Sequence, residues 1–237
     1  MLNINRKIKQ QSGITLIETL IGLALSMIVV SSMVALMGNS LGSATRIIQM
    51  TQLSDELRNT MSMLTRDVRR ANYNANAYKC YANSDCGVDG TTNQIGQVLI
   101  DDDPTALIGN CMIFNLDRDQ DGDGSSAGDG AGGFRLSDSG GIGFIEMWVG
   151  DASPATCVTA HDHWVAMTDT RFVDITTFQI DKTNSIEASI TEEGGGTLSQ
   201  RSRQVKVVIA GELILDSSIT RTIEDTIRVR NDYLWNP

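Results

Sequence analysis

From Ile14 to Met37 the chain is almost purely apolar, and a single carboxylate, Glu18, interrupts it near its start. As a helix rising about 1.5 Å per residue, a run this long crosses a hydrocarbon core of about 30 Å. The fold must therefore be built outward from a membrane segment. The basic residues close to the run cluster on its leader side, at Arg6, Lys7 and Lys9. That bias predicts a cytoplasmic N-terminus and an exported C-terminal body. A secretory signal places its small-residue cleavage site after the apolar region, which is then discarded. Here the small residue, Gly13, comes first, so a cut after it would leave the apolar segment as the mature N-terminus. Glu18 is the anomaly. A carboxylate near the centre of a bilayer costs roughly 2.5–3.5 kcal/mol, less near its edge, and usually has a partner that explains it.

The order Ser12-Gly13-Ile14-Thr15-Leu16-Ile17-Glu18 behind a basic leader resembles the class III signal of type IV pilins and type II secretion pseudopilins. The resemblance implies that a membrane peptidase cuts after Gly13 and methylates the new amine of Ile14. It also implies that Glu18, fifth after the cut, pairs with the terminal amine of a neighbouring subunit.

Beyond the small residues Gly38 to Ser43, apolar residues recur at Leu53, Leu57, Met61, Leu64, Val68 and Ala71. Steps of three and four describe one buried helical stripe. One long helix is expected to about Asn74, its first half in the membrane and its second half packed on a domain. Gly38 and Gly42 each lower helix propensity by about 1 kcal/mol, so a flexible or locally melted point is expected there. The stretch Leu64-Thr65-Arg66-Asp67-Val68-Arg69-Arg70-Ala71 resembles one shared by PilW-type minor pilins and J-type minor pseudopilins. Its arginines read as a solvated helix face carrying short-range ion pairs. The closing Val229-Arg230-Asn231 is a looser part of the same likeness.

After the helix, short β-rich runs take over. Cys111 to Phe114, Gly143 to Val149, Phe172 to Ile180, Gln204 to Leu215 and Ile219 to Arg230 read as strands. Val205, Val207 and Ile209 alternate with polar residues, as do Ile227 and Val229. Gly194 to Gly196 and Asp216-Ser217-Ser218 read as turns. The expected class is α+β: a long N-terminal helix against an antiparallel sheet domain, in the manner of type IV pilins. The boundaries are a leader at 1–13, a transmembrane part at 14–37, the exported half of the helix at 38–76 and a β-rich domain at 77–237.

Asp117, Asp119 and Asp121 followed by Gly122 match the first half of a calcium loop, with alternating carboxylates and a glycine for the turn. Asp123 would offer a backbone carbonyl and Ser125 a bridging water. Position twelve is Gly128 instead of glutamate, so Asp129, or a residue elsewhere such as Asp138, would have to supply the last ligand. The flanks also look like strands, unlike an EF-hand. Calcium is the expected ion, against a solvated acidic loop. Cys80, Cys86, Cys111 and Cys157 are even in number in an exported domain, which favours two disulfides. Of three possible pairings, Cys80–Cys86 and Cys111–Cys157 are preferred. A zinc site with His161 and His163 is the alternative, though the spacing lacks paired C-x-x-C elements.

The net charge is −10, and no basic patch interleaved with aromatics appears, which argues against nucleic-acid binding. No P-loop, H-E-x-x-H, G-x-S-x-G or strand-linked G-x-G-x-x-G occurs, so an enzyme is not expected. The resemblance implies an inner-membrane prepilin that, once processed, joins other minor pilins and the major pilin on an assembly platform. It would prime the fibre and stay at the tip. The alternatives are a J-type pseudopilin of a type II secretion machine and a calcium-dependent tip adhesion module beside a larger adhesin.

Overall fold

A computed structural model describes residues 13–73, 98–103, 105–115, 131–150, 156–158, 163–191 and 197–235. One helix, α1 (Leu16–Arg70), precedes twelve strands: β1 (Leu99–Ile100), β2 (Ile108–Gly109), β3 (Cys111–Asn115), β4 (Ala131–Ser139), β5 (Ile142–Trp148), β6 (Trp164–Ala166), β7 (Val173–Asp181), β8 (Ile186–Thr191), β9 (Thr197–Ser202), β10 (Gln204–Leu213), β11 (Asp216–Arg228) and β12 (Tyr233–Trp235). All pairings are antiparallel. The strands form sheets ordered β1-β3-β4-β5-β6, β11-β10-β7-β2 and β12-β9-β8. The α+β class expected from the sequence is the class observed.

The chain divides into two units, residues 1–49 and 50–237. In the first, the helix exposes its apolar side chains all round, as a membrane span does. Several of its hydroxyls bond back to the helix: Ser26 donates to the Leu23 carbonyl at 2.8 Å and Ser31 to that of Ile28 at 3.0 Å. Hydrocarbon offers no other partner. Gly38 and Gly42 lie within the helix, so the melted point expected there is not present.

In the second unit, Leu53, Leu57, Met61, Leu64, Val68 and Ala71 are all buried, which is the stripe read from the periodicity. They share one core with alternate residues of both larger sheets, among them Met112, Phe134, Ile175, Val207 and Ile227. The helix stops at Arg70, four residues before the expected Asn74, because Asn72 turns left-handed at φ 59° and its amide donates to the Asn115 carbonyl at 2.6 Å. A left-handed asparagine beyond the last turn is a common helix stop.

Strand β10 alternates without interruption, turning Val205, Val207, Ile209 and Leu213 inward. Its neighbour β7 buries Val173 and Ile175, then Phe178 and Ile180. The step of three follows from a register shift between Ala210 and Gly211, where a bulge resets the alternation. The turn after β10 lies at Ile214-Leu215, earlier than the expected Asp216-Ser217-Ser218. Those three residues begin β11, with Asp216 accepting from the Ser218 amide at 3.1 Å. Between β4 and β5, Gly140 and Gly141 both have positive φ, as a two-residue hairpin of matched twist requires.

Candidate assembly site

The helix begins immediately after the expected cleavage point. Thr15 accepts the amides of Glu18 at 3.1 Å and Thr19 at 3.2 Å, opening the first turn. Thr15-Leu16-Ile17-Glu18 has the spacing of a capping box, and Glu18 is the acidic residue of the first turn, where the helix dipole favours negative charge. Ile14 is 74 % exposed and Glu18 is also exposed. From Gly13 to Thr45 Glu18 is the one charged side chain, on a surface otherwise fit for lipid or another apolar helix. The basic leader residues Arg6, Lys7 and Lys9 lie outside the described residues.

The exported domain carries the cysteines. Cys111 and Cys157 are joined with Cα atoms 6.0 Å apart, the second of the pairings expected. Alternate residues of β3 explain the placement. Met112 and Phe114 face the main core, while Cys111 and Ile113 face a second cluster with Ala131, Trp148 and Trp164. Cys157 is pinned at three points: by the disulfide, by its amide to the Asp102 carboxylate at 2.9 Å, and by its carbonyl to Arg135 at 2.8 Å. Both sulfurs are consumed, which removes them from any zinc site. His163 stacks instead on Trp148, with ring centroids 5.4 Å apart. Cys80, Cys86 and His161 lie outside the described residues.

The expected calcium ligands Asp117, Asp119, Asp121, Asp123, Ser125 and Asp129 also lie outside them. Asp138, the further candidate, is placed in the β4–β5 hairpin, where it accepts the Gly141 amide at 3.1 Å. Among the described residues no cluster of three or more His, Cys, Asp or Glu could hold a metal.

Two features escaped the sequence. Arg135 and Glu146 pair directly across β4 and β5, buried, at 2.7 Å, with Trp164 under the guanidinium at 4.4 Å. Asn231 caps the end of α1 by donating to the Ala71 carbonyl at 3.1 Å, and the Arg230 amide donates to that of Arg69. A polar residue in a short closing motif was the one available hint, since its partner lies far away in sequence.

At the other end of the domain, Asp169 accepts the Arg171 amide at 2.9 Å and its guanidinium at 2.7 Å. These donors hold its carboxyl down to about 2, and the same pairing raises the Arg171 value. Glu56 on the helix accepts the Asp169 amide at 3.0 Å, tying this turn to α1.

Residues 8–34 match the prokaryotic N-terminal methylation motif. Residues 46–229 match the model of prepilin peptidase-dependent protein B. No curated protein and no solved structure matches the chain. The two family matches meet in a pilin-like, non-enzymatic protein that is anchored by its N-terminal helix and depends on a prepilin peptidase. A family match covering well over half the sequence, on a fold of one long helix against antiparallel sheets, places the chain in the prepilin peptidase-dependent protein B family.

Proposed function

We propose that the chain is a PilW-like minor pilin that primes type IV pilus assembly within a minor-pilin complex at the fibre tip. The observation that carries this reading is the coincidence, in one short stretch, of the methylation motif, the helix start at Leu16 and a lone exposed carboxylate at Glu18. A charge that is costly in lipid persists where it has a partner. A methylated amine on Ile14 of an adjoining subunit supplies one, once the peptidase has cut after Gly13. In this reading the prepilin waits in the inner membrane, is processed, and leaves the bilayer as its apolar helix exchanges lipid for neighbouring helices. The J-type pseudopilin reading shares the Arg66–Arg70 stretch and the same processing. The disulfide-bearing exported domain weighs mildly toward the pilus. The aspartate-rich segment is assigned calcium binding on its ligand spacing alone.

Mass spectrometry of the membrane-extracted protein is expected to find Ile14, methylated, as the N-terminus. Gly13→Arg should leave the leader attached. A chain that keeps Met1 in the presence of the peptidase, or starts after Met37, would overturn the reading. Deletion of the gene should reduce surface pili and leave type II secretion intact; the reverse outcome assigns the protein to the secretion machine.

A further inference from the structure

The arginines that the sequence presents as a solvated face line one side of an open groove of about 630 Å³ between α1 and β11. Arg58, Arg66 and Arg69 recur at helical spacing and fall in one row. Arg70 extends the row, and Arg230 joins it from the segment after β11. Ile223, half-buried, gives the groove apolar surface, with the edge of the buried Met61 beneath it. The two acids of the opposite wall already have partners: Glu224 pairs with Lys206 at 2.9 Å, and Asp225 accepts from Thr65 at 3.3 Å. Arg66 lies 3.5 Å from Asp67, its own helix neighbour. Among the described residues, the guanidiniums of Arg58, Arg69, Arg70 and Arg230 pair with no carboxylate. Crowding five cations along one groove costs mutual repulsion, and it does so in a chain whose net charge is −10. The sign of the surface is locally inverted.

We propose that this groove docks a carboxylate-bearing peptide segment of a neighbouring subunit, an inference that rests on the reading of the chain as a member of a pilin-like assembly. From Arg58 to Arg70 the helix rises about 18 Å, the length of five or six residues of extended chain at about 3.3 Å each. Guanidiniums bind carboxylates in bidentate geometry, so the row sets register as well as affinity. Ile223 suits the apolar side chains that alternate with acidic ones on such a segment. A nucleic acid fits less well. Among the described residues no aromatic side chain lines the groove to stack a base.

The test uses the full chain in detergent and the fluorescence anisotropy of a labelled eight-residue peptide of alternating Glu and Leu. Wild type is expected to bind it, more weakly as salt rises. Arg66→Gln with Arg69→Gln and Arg70→Gln should weaken binding about tenfold, and a Gln-for-Glu peptide should not bind wild type. These arginines are exposed, so the triple variant should melt with wild type. No binding by wild type, equal binding by the triple variant, or preference for oligothymidylate over the peptide would overturn the proposal. Processing by the peptidase, followed in the same variants, should be unchanged. Loss of cleavage in wild type would defeat the pilin reading and leave the binding result to stand on its own.

Discussion

Arg135 and Glu146 show how a buried charge can be held. Their side chains are 8 % and 4 % exposed, so both lose most of their hydration, which an ion pair alone seldom repays. Further bonds complete the site. Ser137 donates to Glu146 at 2.6 Å, Arg135 donates to the Cys157 carbonyl, and the guanidinium lies over Trp164. Arg135→Met leaves a buried carboxylate without its cation and should cost about 3–5 kcal/mol in urea denaturation. Arg135→Met with Glu146→Leu should recover most of that loss. A double variant as unstable as the single one would mean that the pair is needed for packing beyond its charge. Asp169 is a milder case, half-buried and bonded to the exposed Arg171. Its folded-state value of about 2 lies below the ordinary 3.8, so its stabilisation is complete above that value and is lost as pH falls through about 2. Asp169→Asn should therefore melt below wild type at neutral pH, and the gap should close toward pH 2. A gap that persists in acid would point to geometry instead of charge.

At the scale of elements, the second half of α1 and strand β4 mark the limits of pattern reading. The stripe from Leu53 to Val68 was legible because one helix face meets one core, so burial follows the 3.6-residue period. Leu57, fully buried, should cost about 2–5 kcal/mol as alanine, whereas Ser62→Ala on the exposed face should stay within about 0.5 kcal/mol. Equal effects in thermal melts would mean that the helix is not seated as described. Strand β4 escaped because its first five residues are all buried, between the main core on one side and the tryptophan cluster on the other. A strand covered on both faces shows no alternation. Ala131-Gly132-Gly133 also lacks the β-branched residues that announce one.

At the scale of the whole molecule, the lone charge of the membrane unit bears on assembly. Glu18→Ala removes a charge from lipid, so insertion and protein level should be unchanged or better. If Glu18 meets the amine of a neighbour, incorporation into fibres should fall sharply in the same cells. Quantifying sheared pili against total protein separates the two effects, and normal piliation would assign Glu18 a passive role at the helix N-terminus.

The sequence by itself determined what local chemistry and short periods can encode: an apolar span of membrane length, a glycine ahead of it, a carboxylate near its start, a helical stripe and the alternation of β10. The tertiary structure decided what depends on partners distant along the chain. Four cysteines permit three pairings, and Cys111 meets Cys157 because the phase of β3 turns its thiol toward the cluster that Cys157 covers. The helix ends at Arg70 because Asn115 and Asn231 wait there to receive and cap it. Arg66, Arg69 and Arg70 look like an ordinary solvated face until β11 and Arg230 stand opposite them and turn that face into a groove. Side-chain type and spacing act within a few residues, whereas a groove, a buried ion pair and a disulfide each require two strands of chain to be brought together, and only the packed fold does that.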